Sequence, residues 1–263
     1  MKAIILAAGM GTRLGHYTEN LPKCMLPFNG RPLIEQQVEN LRKAGITDIT
    51  IVKGYMPEKI NVPGTKTYIS HNYATTNMVE TLFCAEAEMD GGDDVLVCYA
   101  DILYEPQILR KIIRSKVDVG VTVDEDYWDY WCARDANPES DMESLVVDHE
   151  GEILSLGDTK CSRNEAKLRY VGLIKFSKAG LASLQKVYHE NREKYFDVEG
   201  PWLRSKSFKK AYMTCMIQAI INSGQKVKPI IVHRGWLEFD TVADLENYTR
   251  WQQEGTLHNF IDV

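Results

Sequence analysis

The chain predicts an α/β fold, a Rossmann-like doubly wound sheet, mostly parallel and covered by helices on both faces. Three observations carry that expectation. Ala3-Ile4-Ile5-Leu6-Ala7 is a continuous apolar run, as suits a strand buried on both sides, and it empties into a loop holding Gly9, Gly11 and Gly15. Strand-like and helix-like patterns then alternate as far as Val123. The 263 residues, 44% hydrophobic and 26% charged, suffice to bury roughly 70–75% of the unfolded surface without a disulfide or metal staple.

Each element follows from local chemistry. Asn29-Gly30 marks a turn, and Pro32 opens a helix with Ile34, Val38 and Leu41 on one face and Gly45 as its stop. Residues 48–53 and 67–70 read as strands, 77–89 as a helix, 95–100 as a buried strand ending at Asp101, 106–113 as a helix after Pro106, and 117–123 as the next strand. Residues 124–165 break the alternation. Leu145-Val146-Val147 and Ile153-Leu154 flank a turn at His149-Glu150-Gly151, so a β-hairpin is expected inside an inserted, acceptor-side flap. A strand at 168–176, helices at 178–189 and 209–222, a strand at 227–232, an extended segment at 236–240 and a helix from Val242 complete the chain. No repeat or linker divides it, so residues 1–263 read as one domain carrying the flap.

Composition excludes several classes. A net charge of −6 argues against a general nucleic-acid binder. No apolar run reaches the ~18 residues of a membrane span, and the apolar start is too short for a signal peptide. Cys24, Cys84, Cys98, Cys132, Cys161 and Cys215 form no CxxC and no zinc spacing, which suits a reduced, cytoplasmic protein. Charge is unevenly spread. Residues 1–60 carry eight Lys/Arg against five Asp/Glu, whereas 124–165 carry thirteen Asp/Glu against three Lys/Arg. Polyphosphate is expected at the basic end.

The strongest chemical signal is Leu6-Ala7-Ala8-Gly9-Met10-Gly11-Thr12-Arg13-Leu14, followed by Pro22-Lys23. A strand emptying into a glycine loop lets backbone N–H groups approach phosphate oxygens, and Ala7 and Ala8 leave room for a ring or sugar. Arg13 and Lys23 supply positive charge for a triphosphate. Walker spacing is absent, and Leu14 stands where a full GxGxxG has its last glycine. Asp101, at the carboxyl end of a buried strand, is placed to hold Mg²⁺ or to cap a helix. Glu238 and Asp240 alternate in Trp236-Leu237-Glu238-Phe239-Asp240-Thr241, while Thr241 and Asp244 form a capping box pattern. Asn77 with Glu80 has the spacing of a helix N-cap pair. Trp128, Trp131 and Arg134 sit in the aromatic, acidic insertion and read either as an acceptor pocket or as a solvated flap packed on the sheet.

LAAGxGTRL followed by PK resembles the nucleotidyltransferase superfamily that makes sugar nucleotides, CDP-choline and related conjugates on a GT-A-like fold. The resemblance implies that the loop backbone of Leu6 to Thr12 binds the nucleotide, with Arg13 and Lys23 as catalytic cations and Mg²⁺ on Asp101, Glu238 and Asp240. It further implies base contacts from Thr76, Asn77, Met78 and Ala100. Within the superfamily, the Thr76-Asn77-Met78-Val79 run, Ala100-Asp101-Ile102-Leu103-Tyr104, the paired tryptophans with RxxNP, and Tyr170-Val171-Gly172-Leu173 are most similar to CTP:phosphoglutamine cytidylyltransferases of capsule phosphoramidate pathways. That resemblance implies CTP and a small phosphorylated acceptor as partners, with Trp128, Trp131, Arg134, Tyr170 and Gly172 at the acceptor. Phosphocholine, 2-aminoethylphosphonate and sugar-1-phosphate nucleotidyltransferases are the alternatives, and a homo-oligomer is left open. Three rivals are weaker. An inactive nucleotide-sensing subunit would not need Arg13, Lys23, Asp101 and Asp240 together. A GT-A glycosyltransferase would show a DxD motif where Ile102 and Leu103 follow Asp101. A dinucleotide dehydrogenase would carry an acid where Lys53-Gly54 stands.

Overall fold

In the computed structural model, which describes residues 1–262, seven strands form the central sheet: β1 Lys2–Ala7, β2 Ile49–Lys53, β3 Lys66–Ile69, β4 Val95–Tyr99, β5 Val119–Asp124, β6 Arg169–Phe176 and β7 Lys228–Val232. Their spatial order is β7-β5-β6-β4-β1-β2-β3. All neighbouring pairs are parallel except β6, which runs antiparallel to both β4 and β5. The chain leaves β1 toward β2 and β3, then returns to β4 on the other side of β1. The point between β1 and β4 is therefore the topological switch, where the strands' carboxyl ends open a crevice.

Side-chain alternation sorts the core into two layers. Ile5, Ile51, Leu96, Cys98 and Leu173 face a layer with α1 (Leu33–Lys43), α3 (Pro106–Arg114) and α7 (Val242–Gln253). Ile4, Leu6, Val95, Val97 and Ile174 face the opposite layer with α2 (Met78–Phe83), α5 (Lys178–Tyr195) and α6 (Met213–Asn222). The expected helix at 77–89 is shorter: after Phe83 a 3₁₀ turn at Glu86–Glu88 takes over before Asp90-Gly91-Gly92.

The inserted region differs from its expected form in one respect. Leu145–Val147 and Ile153–Leu156 do pair antiparallel as a hairpin. It is tied to the body by Ile153 N donating to Val227 O and by Gln218 bonding to Leu154 and Leu156. The aromatic stretch before it, however, is a helix, α4 (Tyr127–Arg134). Tyr127, Tyr130, Trp131 and Arg134 are its buried residues, at i, i+3, i+4 and i+7. Tyr130 and Trp131 pack against Trp236, and Tyr130 shares a hydroxyl contact of 2.5 Å with Tyr248 of α7. This part of the insertion is core.

Candidate active site

A cleft of about 500 Å³ opens at the switch point. Ala7 and Ala8 leave β1 beside Ala100 and Asp101, because β1 and β4 are paired with Leu6 opposite Tyr99. The glycine loop and a 3₁₀ turn, Thr12–Thr18, cover one side. Gly11 is in the left-handed region at φ 65°, and a Cβ there would lie 2.8 Å from Lys23 Cβ. The loop's close approach to Lys23 thus requires glycine at position 11.

Asp101 and Asp240 are 139 positions apart in sequence and meet through a two-stranded ribbon. Trp236–Glu238 pairs antiparallel with Ile102–Tyr104, with Glu238 opposite Ile102, and Phe239 N donates to Asp101 O at 2.8 Å. Lys23 Nζ lies 2.7 Å from Asp101 Oδ2 and 2.7 Å from Asp240 Oδ1. Arg13 Nη1 lies 2.5 Å from Asp240 Oδ2, with its side chain 68% exposed at the mouth. Burial pushes the Asp101 carboxyl above its ordinary range against the pull of Lys23. Burial alone would lower Lys23, but the two carboxylates raise it, so Lys23 stays charged. The second Asp101 oxygen, Oδ1, is buried and has no hydrogen-bond partner among the described residues.

The other sequence-derived residues divide into two groups. Leu6, Ala7, Ala8, Gly9, Gly11, Thr12, Thr76, Asn77, Met78, Ala100, Tyr170 and Gly172 line the cleft with Arg13, Lys23, Asp101, Glu238 and Asp240. Asn77 is also the N-cap of α2, its side chain accepting from Met78 N at 2.9 Å, so capping and cleft placement coexist. Gly172, at φ 92°, sits where a Cβ would meet the Tyr99 ring at 3.0 Å.

Met10, Trp128, Trp131 and Arg134 lie outside the cleft lining. Met10 is exposed. Trp131 is 1% exposed and lies beneath the guanidinium groups of Arg134 and Arg169, at 4.5 and 4.1 Å from its ring centre. Trp128 is covered by Arg163 at 3.8 Å. Arg134 is engaged by Asp244 at 2.6 and 2.8 Å and by Glu238 at 2.9 Å, and it points into the interior rather than lining the cleft. The expected aromatic acceptor pocket is thus a packed support. Trp131→Ala is accordingly expected to lower stability by about 3–5 kcal/mol, read as a fall in Tm, since it removes a fully buried indole.

Glu238 does reach the cleft, but not as a third member of the Asp101–Asp240 pair. Burial would raise its carboxyl; Arg134, Arg169 and Lys23 outweigh that and hold it below the ordinary range. Sequence reasoning passed over several lining residues, among them Thr81, Tyr99, Asp141, Thr159, Arg169 and Tyr212, and took Glu143 only as one of the insertion's acids that could favour a cationic or amide group. Arg169 begins β6 just before Tyr170 and donates to Asp141 O at 2.7 Å. Its cation beside an expected acceptor strand was the one available signal.

Among the described residues no set of three His, Cys, Asp or Glu side chains forms a complete metal site. The cleft nevertheless carries five carboxylates (Asp101, Asp141, Glu143, Glu238, Asp240) against three cations (Arg13, Lys23, Arg169). A triphosphate entering alone would meet net repulsion. A hard cation arriving with it would find the unpartnered Asp101 oxygen and Asp240, and would take its remaining oxygens from phosphate and water. The residues present fit Mg²⁺.

Comparison with known proteins agrees with this geometry. Residues 3–188 match the MobA-like NTP transferase domain. The chain is 34% identical over 256 residues to CTP:phosphoglutamine cytidylyltransferase of Campylobacter jejuni, covering 94% of this chain and 98% of that one. It is 43% identical over 93 residues to choline-phosphate cytidylyltransferase of Streptococcus pneumoniae, covering 34% of this chain and 41% of that one. In fold it is similar to the solved CTP:phosphocholine cytidylyltransferase of Streptococcus pneumoniae, with a TM-score of 0.71 at 22% identity over 96% of this chain and 98% of that one. The inositol-1-phosphate CTP transferase of T. maritima gives 0.73 at 17% identity over 100% and 98%. A crevice at the switch point, a glycine loop, two cations and a carboxylate pair, together with these matches, place the chain in the MobA-like NTP transferase family, as a nucleotidyltransferase of the GT-A-like fold.

Proposed function

We propose that the enzyme transfers CMP from CTP to a small phosphorylated acceptor of the phosphoglutamine kind, in a Mg²⁺-dependent reaction that releases pyrophosphate. The observation that carries this reading is Lys23 held between Asp101 and Asp240 directly beneath the glycine loop. The choice of CTP draws support from the names of the relatives, most of all the one matched over almost its whole length.

In the proposed reaction an acceptor phosphate, phosphonate or phosphoramidate oxygen attacks the α-phosphorus. The bond from that phosphorus to the bridging oxygen breaks, and its electron pair leaves with pyrophosphate. Such an acceptor is already anionic near neutral pH, so no strong general base is required. The loop N–H groups and Arg13 hold the triphosphate, and Lys23 neutralises charge that builds between donor and acceptor. Asp101 and Asp240 would hold Mg²⁺, which supplies charge neutralisation on the phosphate oxygens. Thr76, Asn77, Met78 and Ala100 face the nucleoside, and Tyr170 and Gly172 face the acceptor.

The test is pyrophosphate release with Mg²⁺, across four NTPs and acceptors including phosphoglutamine, phosphocholine, 2-aminoethylphosphonate and sugar-1-phosphates. Release with CTP and an amino- or amide-bearing acceptor supports the proposal. Preference for another NTP with a sugar phosphate would overturn it while keeping the family. Asp101→Asn and Asp240→Asn are each expected to lower kcat about 10²-fold or more with a smaller effect on CTP binding. Near-wild-type turnover in both variants would refute the metal assignment.

A further inference from the structure

Four of the five carboxylates in the cleft are matched by cations. Asp101 and Asp240 hold Lys23, Glu238 holds Arg134 and Arg169, and Asp141 approaches Arg169. Glu143 is the exception: among the described residues its side chain makes no hydrogen bond or ion pair, and burial pushes its carboxyl up, with Arg169 opposing. Its backbone position is nonetheless fixed. The next residue, Ser144, donates from N to Asp158 O and accepts from Gly157 N, both at 2.9 Å, and Leu145 N donates to Glu165 O at 2.7 Å.

Glu143 also stands at a junction. It lines the main cleft and a second cavity of about 240 Å³, which shares Thr159, Tyr212 and Thr214 with the first. Tyr170, another wall residue of the cleft, has a buried hydroxyl without a hydrogen-bond partner among the described residues. A partly desolvated carboxylate on a held backbone, with no partner among the described residues, is best satisfied by a ligand cation, since a charge-assisted hydrogen bond compensates more than a neutral hydroxyl does.

We propose that Glu143 is the specificity residue that takes a positively charged nitrogen of the acceptor, and that the second cavity receives the acceptor's end remote from its phosphorus. The inference rests on the reading of this site as one for CTP and a phosphorylated acceptor. It narrows the acceptors to those bearing an ammonium group several bonds from phosphorus, as in an amino alkylphosphonate or a phosphorylated amino acid amide.

The experiment compares kcat/KM, by pyrophosphate release with CTP and Mg²⁺, within two pairs matched in length: 2-aminoethylphosphonate against 2-hydroxyethylphosphonate, and phosphoglutamine against its analogue lacking the α-amino group. The wild-type enzyme is expected to favour the amine in at least one pair by about tenfold or more. Glu143→Gln should collapse that ratio toward unity, and Glu143→Asp, which keeps the charge at a shorter reach, should leave an intermediate ratio. Equal use of amine and hydroxyl by the wild type, or an undiminished ratio in Glu143→Gln, overturns the inference and leaves the cytidylyltransferase reading standing. Equal use by the wild type overturns the inference even where Glu143→Gln does not fold, and Glu143→Asp then supplies the variant comparison. No pyrophosphate from any acceptor with CTP overturns both.

Discussion

Lys23→Met is expected to lower kcat by roughly 10²–10³-fold, among the largest losses from a single substitution in this enzyme. The expectation comes from its two 2.7 Å contacts, with Asp101 and Asp240, in a cleft where acids outnumber cations. In the structure Lys23 offsets two carboxylates. In the proposed reaction Lys23 and Arg13 would exchange those carboxylates for phosphate oxygens, and Asp101 and Asp240 would then be available to hold Mg²⁺. Mg²⁺ and CTP should therefore each raise the other's affinity by the same factor, as linkage demands. Calorimetric titration of Mg²⁺ with and without a non-hydrolysable CTP analogue checks this. Equal Mg²⁺ affinity in both titrations, or turnover by Lys23→Met within tenfold of wild type, would remove Lys23 from the centre of the mechanism.

Arg134→Met should combine a structural with a functional loss. Arg134 is buried, and its partner Asp244 does more than neutralise it. Asp244 Oδ2 accepts from Asp240 N at 2.9 Å and from Thr241 N at 2.8 Å, while Thr241 Oγ1 accepts from Asp244 N at 3.2 Å. The capping box at the start of α7 thus fixes the backbone of Asp240, and Arg134 fixes the capping box. Its removal leaves two carboxylates, Asp244 and Glu238, with their main cation gone. The expected cost is about 3–5 kcal/mol, a fall in Tm of the order of 10 °C by scanning calorimetry. Below that Tm, kcat should fall more than the KM for CTP changes, because Asp240 loses its support while the glycine loop is untouched. A variant with wild-type Tm would show that Asp244 holds Asp240 without help from Arg134.

The same arginine shows what the sequence leaves open. In the one-dimensional pattern, Trp128, Trp131 and Arg134 read either as an acceptor pocket or as a flap packed on the sheet, and for Trp131 and Arg134 the packed reading holds. The buried set Tyr127, Tyr130, Trp131 and Arg134 has helical spacing, which was present in the sequence but masked by the charged residues around it. Cation–π stacking on Trp131 and pairing with acids from two later elements then give Arg134 an interior role. Asp240 is the reverse case. Its capping-box neighbours were legible, and the structure shows Asp244 and Thr241 forming the cap while the Asp240 side chain faces Lys23.

The sequence by itself determined the elements whose information is local. The apolar run of β1, the glycine loop that follows it, the α1 and α3 starts at Pro32 and Pro106, and the hairpin at 145–156 each rest on periodicity or turn chemistry within a few residues. Tertiary structure decided what depends on contacts between distant segments. The ribbon pairing Glu238 with Ile102 brings Asp240 to Asp101 and Lys23, and the antiparallel β6 carries Arg169 to Glu238. It also decided which charges are already neutralised and which, like Glu143, have no partner among the described residues. Local propensity is written in the spacing of neighbouring side chains, whereas the pairing of charges depends on a three-dimensional arrangement that no short window of sequence contains.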